Sequence, residues 1–581
     1  MNTASRLVRG ETRNLDLRFA AIVVAMLIIG FIIALRLGKL QIMDHQMYSV
    51  LATDQHEVQS KITPVRGRIL IRDDTDNKLY PLAANREAWT VYAVPYGMKE
   101  ATTTARNLSP ILGIPEVDLL TKLSKSTSKY QVLAKDVSPE ILQRLKDSAF
   151  ENVDFNRQDA RLYPEKNMGG QVVGVVTPDD QGNLVGRYGI ESSYQEILAG
   201  KPGRLDAEKD AQGRRLVFAN TSLKEAINGS DVVLTLDRAI QYQACEKIKN
   251  ATIQYEAESG TIIIMDPSTG AILAMCSYPD FEPSDLKSVT DVGVFNNPAV
   301  FRTFEPGSVF KAVTMAAGLD MQKVNPNTTY TDKGFEEIDD FKIQNSDHKA
   351  HGVKTMTNVL EESLNTGTIF VQRLLGKTSF RDYVQKFGFG KKTDAGLKPE
   401  GAGDISSLDK KGDVFAATAS FGQGITTTPI QLISAYATLA NQGKMMKPYI
   451  VAEVDHPDGK VEITQPIVLG QPVSARAARL VSGMLISVVE NGHSKLAMVP
   501  GYWVAGKTGT AQVAKAGGKG YEAEKVIASF IGYAPANNPK FVMLVKFDYP
   551  KKAAWAESCA APVFGDMAKY LLQYLKVKPE R

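Results

Sequence analysis

The stretch "FEPGSVFKAV", Phe304 to Val313, decides how the rest of the chain is read. A serine stands just after Pro306-Gly307, and a lysine follows three residues later at the mouth of an apolar helical run. Residues three apart on a helix share one face, with Cβ atoms ~5–6 Å apart, so Lys311 can reach back toward the Ser308 oxygen. Proline suits a first helical turn. A serine there also sits where backbone N–H groups stabilise developing negative charge. Its hydroxyl is a weak nucleophile and needs a neighbouring base. The pattern alone carries little: about two S-x-x-K matches are expected by chance in a chain of this size. "STSK", Ser126 to Lys129, is a second match. No apolar run surrounds it, and it reads as a solvated stretch.

Two further motifs lie downstream. Ser363-Leu364-Asn365, in "EESLNTGT", falls on or beside a helix, and a tight turn there would aim both polar side chains at one cleft. A second hydroxyl can pass a proton, and a carboxamide can orient an amide. Lys507-Thr508-Gly509, in "VAGKTGTAQV", lies in a strand-like run bracketed by Gly506 and Gly509. Glycine lets another backbone or a ligand come close. A lysine and a hydroxyl beside an open strand edge suit an anionic extended peptide. Gly501 to Thr508 also fits the letters of a phosphate loop. Trp503 and Val504 are bulky, however, and the following "TAQVAKAGGKGYE" reads as strand and loop, whereas phosphate binding needs a helix there. "GKTS", Gly376 to Ser379, reads as a β-turn.

The bulk numbers set limits. A chain of 581 residues needs more than one core. With 44% hydrophobic and 23% charged residues it has the composition of an ordinary folded protein, and a net charge of +4 is no nucleic-acid footprint. Three cysteines, Cys245, Cys276 and Cys559, exclude a disulfide framework, and spacing leaves open whether one pair is bridged. "FAAIVVAMLIIGFIIAL", Phe19 to Leu35, carries no charge and has arginines at both ends. It is long enough to span a bilayer, and it offers a poor cleavage site, so it reads as an uncleaved anchor. Arg6, Arg9, Arg13 and Arg18 ahead of it outnumber Arg36 and Lys39 behind, which places the N-terminus in the cytoplasm.

Gln41 to Ser60 reads as an amphipathic connector. Short apolar runs such as "WTVYAVP" (Trp89 to Pro95) then alternate with helical patterns, among them "SPEILQRLKD" with Ser138 as N-cap. From "DVVLTL" onward, strands stand at both ends of the region: Val232 to Leu236, the hairpin "GTIIIMDPSTGAILAMCSYP", and "KFVMLVKFDYP". Helical runs stand between them, "SVFKAVTMAAGLD", "MTNVLEESLNTGTIFVQRLLG" and "TPIQLISAYATLANQG", and "APVFGDMAKYLLQYLK" closes the chain. The expected architecture is α/β (α+β), an antiparallel sheet with helices packed on it. The expected divisions are a tail 1–18, an anchor 19–37, a mixed pedestal 38–228 and a second domain 229–575.

The three motifs in this order resemble the signature of penicillin-interacting serine acyltransferases. "EPGSVFK", "FGQGITTTPIQLISAYATLANQGKMMKPYIV" and "AGKTGTAQ" are similar to a class B penicillin-binding protein. So are "RLYPEKNMGGQVVGVV", "GRYGIESSYQEILAGKPG" and "VVLTLDRAIQ". The resemblance covers the chain from Arg18 onward and is nearest to the division-type (FtsI-like) monofunctional transpeptidases. It implies that Ser308 attacks the carbonyl between two D-alanines of a peptidoglycan stem peptide and that Lys311 takes its proton. Burial and the like charge of Lys507 would keep Lys311 neutral enough for that. Ser363 would hand the proton to the departing D-alanine, Asn365 would hold the substrate amide, and Lys507 and Thr508 would bind the terminal carboxylate. Gly509 would admit the substrate, and the N–H groups of Ser308 and Thr510 would form the oxyanion hole. No metal or organic cofactor is implied. β-Lactams would trap Ser308, and a SEDS-family (FtsW/RodA-like) glycan polymerase and other divisome membrane proteins would be partners.

The chain departs from the family at Arg72-Asp73-Asp74-Thr75, where an Asp-Arg-Asn-Gly turn is usual. His348 and His351 stand in H-x-x-H spacing and read as surface-loop residues, since no third ligand accompanies them. Alternatives are an elongation- or sporulation-type transpeptidase, a β-lactamase or carboxypeptidase, and a non-catalytic β-lactam sensor or scaffold. The pedestal-sized region counts against the second, and the short N-terminal tail against a sensor.

Overall fold

The computed structural model describes residues 4–43, 57–179, 183–208, 222–514, 520–553 and 555–581. Most of the Gln41–Ser60 connector lies outside them. The described chain forms two compact units, Met1–Pro64 with Lys201–Ile227, and Val65–Gly200 with Asn228–Arg581.

The first unit holds the helix Ala4–Gly38 and a three-stranded antiparallel sheet of Glu57–Ile62, Gly203–Glu208 and Ser222–Lys224. Phe19–Gln41 is, among the described residues, the one helical segment long and apolar enough to cross a membrane by length and composition. Its large apolar side chains, Phe19 to Leu37, are exposed.

In the second unit a seven-stranded sheet carries the pedestal-like residues. Its order is Val461–Ile463, Val451–Asp455, Asp231–Asp237, Ile69–Asp73, Lys78–Ala93 and Gln131–Val137, with Val153–Leu162 also paired to Lys78–Ala93. The Arg72–Thr75 turn closes by side-chain chemistry of its own: Asp73 Oδ1 accepts the Thr75 N–H at 3.0 Å, and Arg72 Nη1 donates to Asn77 Oδ1 at 3.1 Å. "RGRIL" is tied to "GIESS" by Arg66, whose guanidinium pairs with the wholly buried Glu191 at 2.6 Å, and Arg161 joins the same carboxylate at 2.7 Å.

The sheet that matters for chemistry has five antiparallel strands. These are β1 (Ser259–Met265), β2 (Ile272–Tyr278), β3 (Ala505–Ala514), β4 (Tyr521–Ala534) and β5 (Phe541–Asp548), in the order β2-β1-β5-β4-β3. Side chains of a strand alternate between faces. Ile263, Met265, Val542, Leu544 and Ile531 accordingly join one core with the helices Lys311–Asp320, Pro429–Ala440 and Ala475–Glu490. Ile262, Ile264, Met543, Val545 and Phe530 join the other, with Arg238–Gln254 and Ala556–Tyr574. A sheet buried on both faces explains why "TIIIM" and "FVMLVKF" read as unbroken apolar runs.

Most expected elements stand where the sequence places them. Asp237 caps Arg238–Gln254 by accepting the Ile240 N–H, Ser138 caps Pro139–Ser148, and Thr428 with Gln431 forms a capping box on Pro429–Ala440. Three details differ. "GKTS" is no β-turn but opens the helix Lys377–Lys386. The run from Met356 is two helices, Met356–Glu361 and Asn365–Leu375, broken at Ser363. Gly307–Phe310 is a 3₁₀ turn that leads into Lys311–Asp320. Cys245 and Cys276 are disulfide-bonded, with Cα atoms 5.1 Å apart, and Cys559 is free and buried.

Candidate active site

The 3₁₀ turn sets Ser308. In such a turn residues i and i+3 stack over one another, so Ser308 and Lys311 rise from one side of it. Gly307 has φ +61°, and a Cβ there would come within 3.0 Å of Ala511 Cβ on β3. Gly307 N donates to Gly422 O at 3.0 Å, and the buried Tyr436 hydroxyl donates to Val309 O at 2.7 Å. The turn is thus pressed onto β3 and held from behind. Gly509 makes the approach possible from the strand side. A Cβ at Gly509 would lie 2.9 Å from Val309 Cγ1 and 3.1 Å from Pro306 O.

Lys311 is completely buried. Its Nζ donates to Ser363 O at 2.5 Å and to Ser363 Oγ at 3.2 Å. Ser363 can offer both oxygens because it sits in the helix break at φ +56°. A left-handed serine is strained, and strain of this kind collects at functional sites. Asn365 begins the next helix and donates its Nδ2 to Gln344 O at 2.9 Å. Thr366 behind it is held by Asp332, whose Oδ1 accepts the Thr366 hydroxyl at 2.8 Å.

β3 supplies the third side. It is the outer strand of its sheet, and Lys507 and Gly509 point to the face that carries the Ser308 turn. Lys507 is 2% exposed, and its Nζ donates to Thr508 O at 3.2 Å. Thr510 lies on the opposite face, where its Oγ1 accepts the Ala556 N–H at the start of the terminal helix, 3.2 Å away. Its side chain is therefore engaged in structure, which leaves its main chain for other work.

The electrostatics follow from burial. Burial, and after it the positive charge of Lys507, hold the Lys311 amine well below its ordinary range. Burial brings Lys507 down to about 7, with Glu557 pulling the other way. Among the described residues neither lysine makes a salt bridge, and no group of three His, Cys, Asp or Glu side chains gathers as a metal site. His348 is exposed, as the sequence reading has it, whereas His351 is half-buried and lodged between Asp347 and Glu362, each at 2.9 Å.

Residues drawn from three distant stretches thus line one site. Residues 260–569 match the family described as penicillin binding protein transpeptidase domain, and residues 61–234 match the penicillin-binding protein dimerisation domain. The chain belongs to the penicillin-binding protein transpeptidases. Stage V sporulation protein D of Bacillus subtilis is 34% identical over 95% of this chain and 85% of its own. The peptidoglycan D,D-transpeptidase FtsI of Buchnera aphidicola is 30% identical over 86% of each chain. The crystal structure of penicillin binding protein 3 of Mycobacterium tuberculosis, complexed with aztreonam, is similar with a TM-score of 0.68 and 28% identity, covering 90% of this chain and 98% of that one.

What the sequence reading missed is the supporting set. Glu305 accepts the Gly424 N–H at 3.0 Å and the Tyr521 hydroxyl at 3.3 Å, and burial raises its carboxyl. The pairing of His351 with Glu362, beside Ser363, is the other. The only signal for either was adjacency to a motif.

Proposed function

We propose that this chain is a membrane-anchored peptidoglycan D,D-transpeptidase working through a serine acyl-enzyme. The observation that carries the reading is the buried Lys311 amine, held well below its ordinary range by burial, one turn from Ser308 and bonded to Ser363. Ser308 Oγ attacks the D-Ala–D-Ala carbonyl while its proton passes to Lys311. Ser308 N–H and Thr510 N–H stabilise the oxyanion. The C–N bond then breaks, and Ser363 relays the proton to the departing D-alanine amine. An amine of a second stem peptide attacks the ester, forms the new amide and returns the hydrogen to Ser308. Lys507 and Thr508 bind the terminal carboxylate, Gly509 admits the donor strand along the β3 edge, and Asn365 orients the donor amide. β-Lactams acylate the same serine, a reading supported by the aztreonam complex of the mycobacterial relative.

The segments 1–18, 19–37, 38–228 and 229–575 are taken as tail, anchor, pedestal and catalytic domain. The tail is cytoplasmic and the rest lies outside the plasma membrane, in line with the arginine excess before Phe19. A SEDS-family polymerase and divisome membrane proteins dock the anchor and pedestal, and the duty is septal. A second reading, sporulation-type cross-linking, is favoured by the 34% identity to stage V sporulation protein D.

The test is labelling with a fluorescent penicillin. Wild type labels and Ser308→Ala does not; equal labelling of both refutes the nucleophile. Imaging of a tagged chain in dividing and sporulating cells then separates the two duties.

A further inference from the structure

The H-x-x-H pair has no part in the mechanism above, yet His351 touches one end of the Ser363 turn and reaches the other through Asp332. Its Nδ1 lies 2.9 Å from Glu362 Oε2, and Glu362 immediately precedes Ser363. Its Nε2 lies 2.9 Å from Asp347 Oδ2. Lys354 holds the other Glu362 oxygen at 2.5 Å. The His351 backbone N–H donates to Asp332 Oδ2 at 3.0 Å, and Asp332 also accepts the Thr366 hydroxyl. Asp332 is buried, and it further accepts Gly334 N at 2.9 Å and Asn345 Nδ2 at 2.9 Å. The side chain of His351 therefore grips the residue before Ser363, and its main chain grips the knot that holds the residue after Asn365.

We propose that His351 is the positioning residue of the Ser363–Asn365 turn, holding Ser363 Oγ on Lys311 through Glu362. The turn needs such a hold because Ser363 sits in a left-handed conformation that a serine does not keep unaided. Carboxylate oxygens only accept hydrogen bonds, and only the imidazolium presents two N–H donors, so the doubly protonated ring satisfies Asp347 and Glu362 together. The neutral ring turns a lone pair on one of them. Lys354 and Asp332 are the other charged groups facing this cluster, and neither can replace the lost donor: Lys354 already serves Glu362, and Asp332 is itself an acceptor.

This inference rests on Ser363 as the proton relay. The experiment measures the acylation rate constant of the full-length chain with a fluorescent penicillin for wild type, His351→Gln, Glu362→Gln and the double variant, with Ser308→Ala alongside. Rates are taken on the fraction that labels at saturation, so misfolded protein does not count. Glu362→Gln attacks the same contact from its other side, so a folding failure of one single variant leaves the other to be read. His351→Gln is expected to lower the saturating acylation rate constant about tenfold, while the noncovalent dissociation constant read from the concentration dependence stays within about twofold of wild type, because the variant loosens Ser363 and leaves the substrate pocket intact. The double variant is expected to be no slower than the slower single variant, since both break one linkage. A wild-type acylation constant, an equal loss in noncovalent affinity, or additive losses in the double variant would overturn the proposal. If Ser308→Ala labels like wild type, the acyl-enzyme reading itself falls. If Ser308→Ala is silent and His351→Gln behaves as wild type, this inference alone falls.

Discussion

Lys507 on β3 and Lys546 on β5 are buried on one face of one sheet, two strands apart, yet they live by opposite rules. Lys546 forms a buried ion pair with Asp548, and its Nζ stands 4.9 Å from the centre of the Phe304 ring. Burial alone would push the Asp548 carboxyl up, but Lys546, Ser259 and Arg302 outweigh it and hold it below the ordinary range. Lys507 and its neighbour Lys311 have no such partner among the described residues, and burial drives both toward the neutral amine. The same desolvation that a structural lysine must offset with a carboxylate is what favours the unprotonated amine that a catalytic lysine needs to accept a proton at working pH. Under the proposed mechanism the paired lysine is scaffold and the two unpaired ones are machinery.

Breaking the unpaired side has the largest effect. Lys311→Met is expected to lower the penicillin acylation rate by at least ~10³-fold, because the serine loses its base. The same variant is expected to melt higher than wild type near neutral pH, since the avoided cost of burying an amine outweighs the two hydrogen bonds to Ser363 that methionine gives up. The pH dependence of that gain has a definite sign. A lysine whose folded pKa is depressed binds fewer protons in the folded chain than in the unfolded chain, so wild-type stability rises as the pH climbs toward the ordinary lysine range. The advantage of Lys311→Met over wild type therefore shrinks across that window, as melting curves at several pH values will show. An advantage that grows with pH would contradict the assignment.

Breaking the paired side is expected to act on stability. Lys546→Met leaves Asp548 buried without its cation and should cost ~3–5 kcal/mol in chemical denaturation. In protein that remains folded, acylation should stay within a few-fold of wild type. A variant as stable as wild type would make the pair dispensable.

Gly509→Ala sharpens the contrast by moving no charge. The added methyl would stand 2.9 Å from Val309 Cγ1 and must push the Ser308 turn off β3. An acylation loss of ~10²-fold is expected from a displacement of this kind, measured by stopped-flow labelling. The smallest effect concerns Lys507 itself. Noncovalent affinity for a penicillin with a free carboxylate should weaken, up to ~10-fold, as the pH rises through about 7 and Lys507 loses its charge. The methyl ester of the same penicillin should show no such fall. Equal pH dependence of acid and ester would remove Lys507 from carboxylate recognition.

The motifs and four strands of the five-stranded sheet were legible because they are local. A serine and lysine three apart, a hairpin turn at Pro267–Gly270 and unbroken apolar strands announce themselves in a short window, whereas Tyr521–Ala534 was not read as a strand and Val232–Leu236 belongs to the seven-stranded sheet. The expectation that burial and the like charge of Lys507 would discourage charge on Lys311 agrees with the structure, where burial is the larger cause. What was hidden depends on contacts distant in the chain. Nothing in "EESLNTGT" shows that the helix breaks with Ser363 left-handed, because the break is secured by Lys311, 52 residues earlier. The Cys245–Cys276 bridge needs a helix and a strand set side by side, which spacing cannot reveal. His351 read as a surface residue because its two carboxylate partners become neighbours only after the loop before Met356 folds back.

The most direct test follows the protonation of Lys311. In protein carrying ¹⁵N at lysine Nζ, with the Lys311 signal assigned by its loss in Lys311→Met, the account predicts a neutral amine at pH ~7, titrating far below the ordinary lysine range. A Lys311 signal that stays that of an ammonium until pH ~10 would contradict it, for the proposed base would then have no free electron pair with which to take the Ser308 proton.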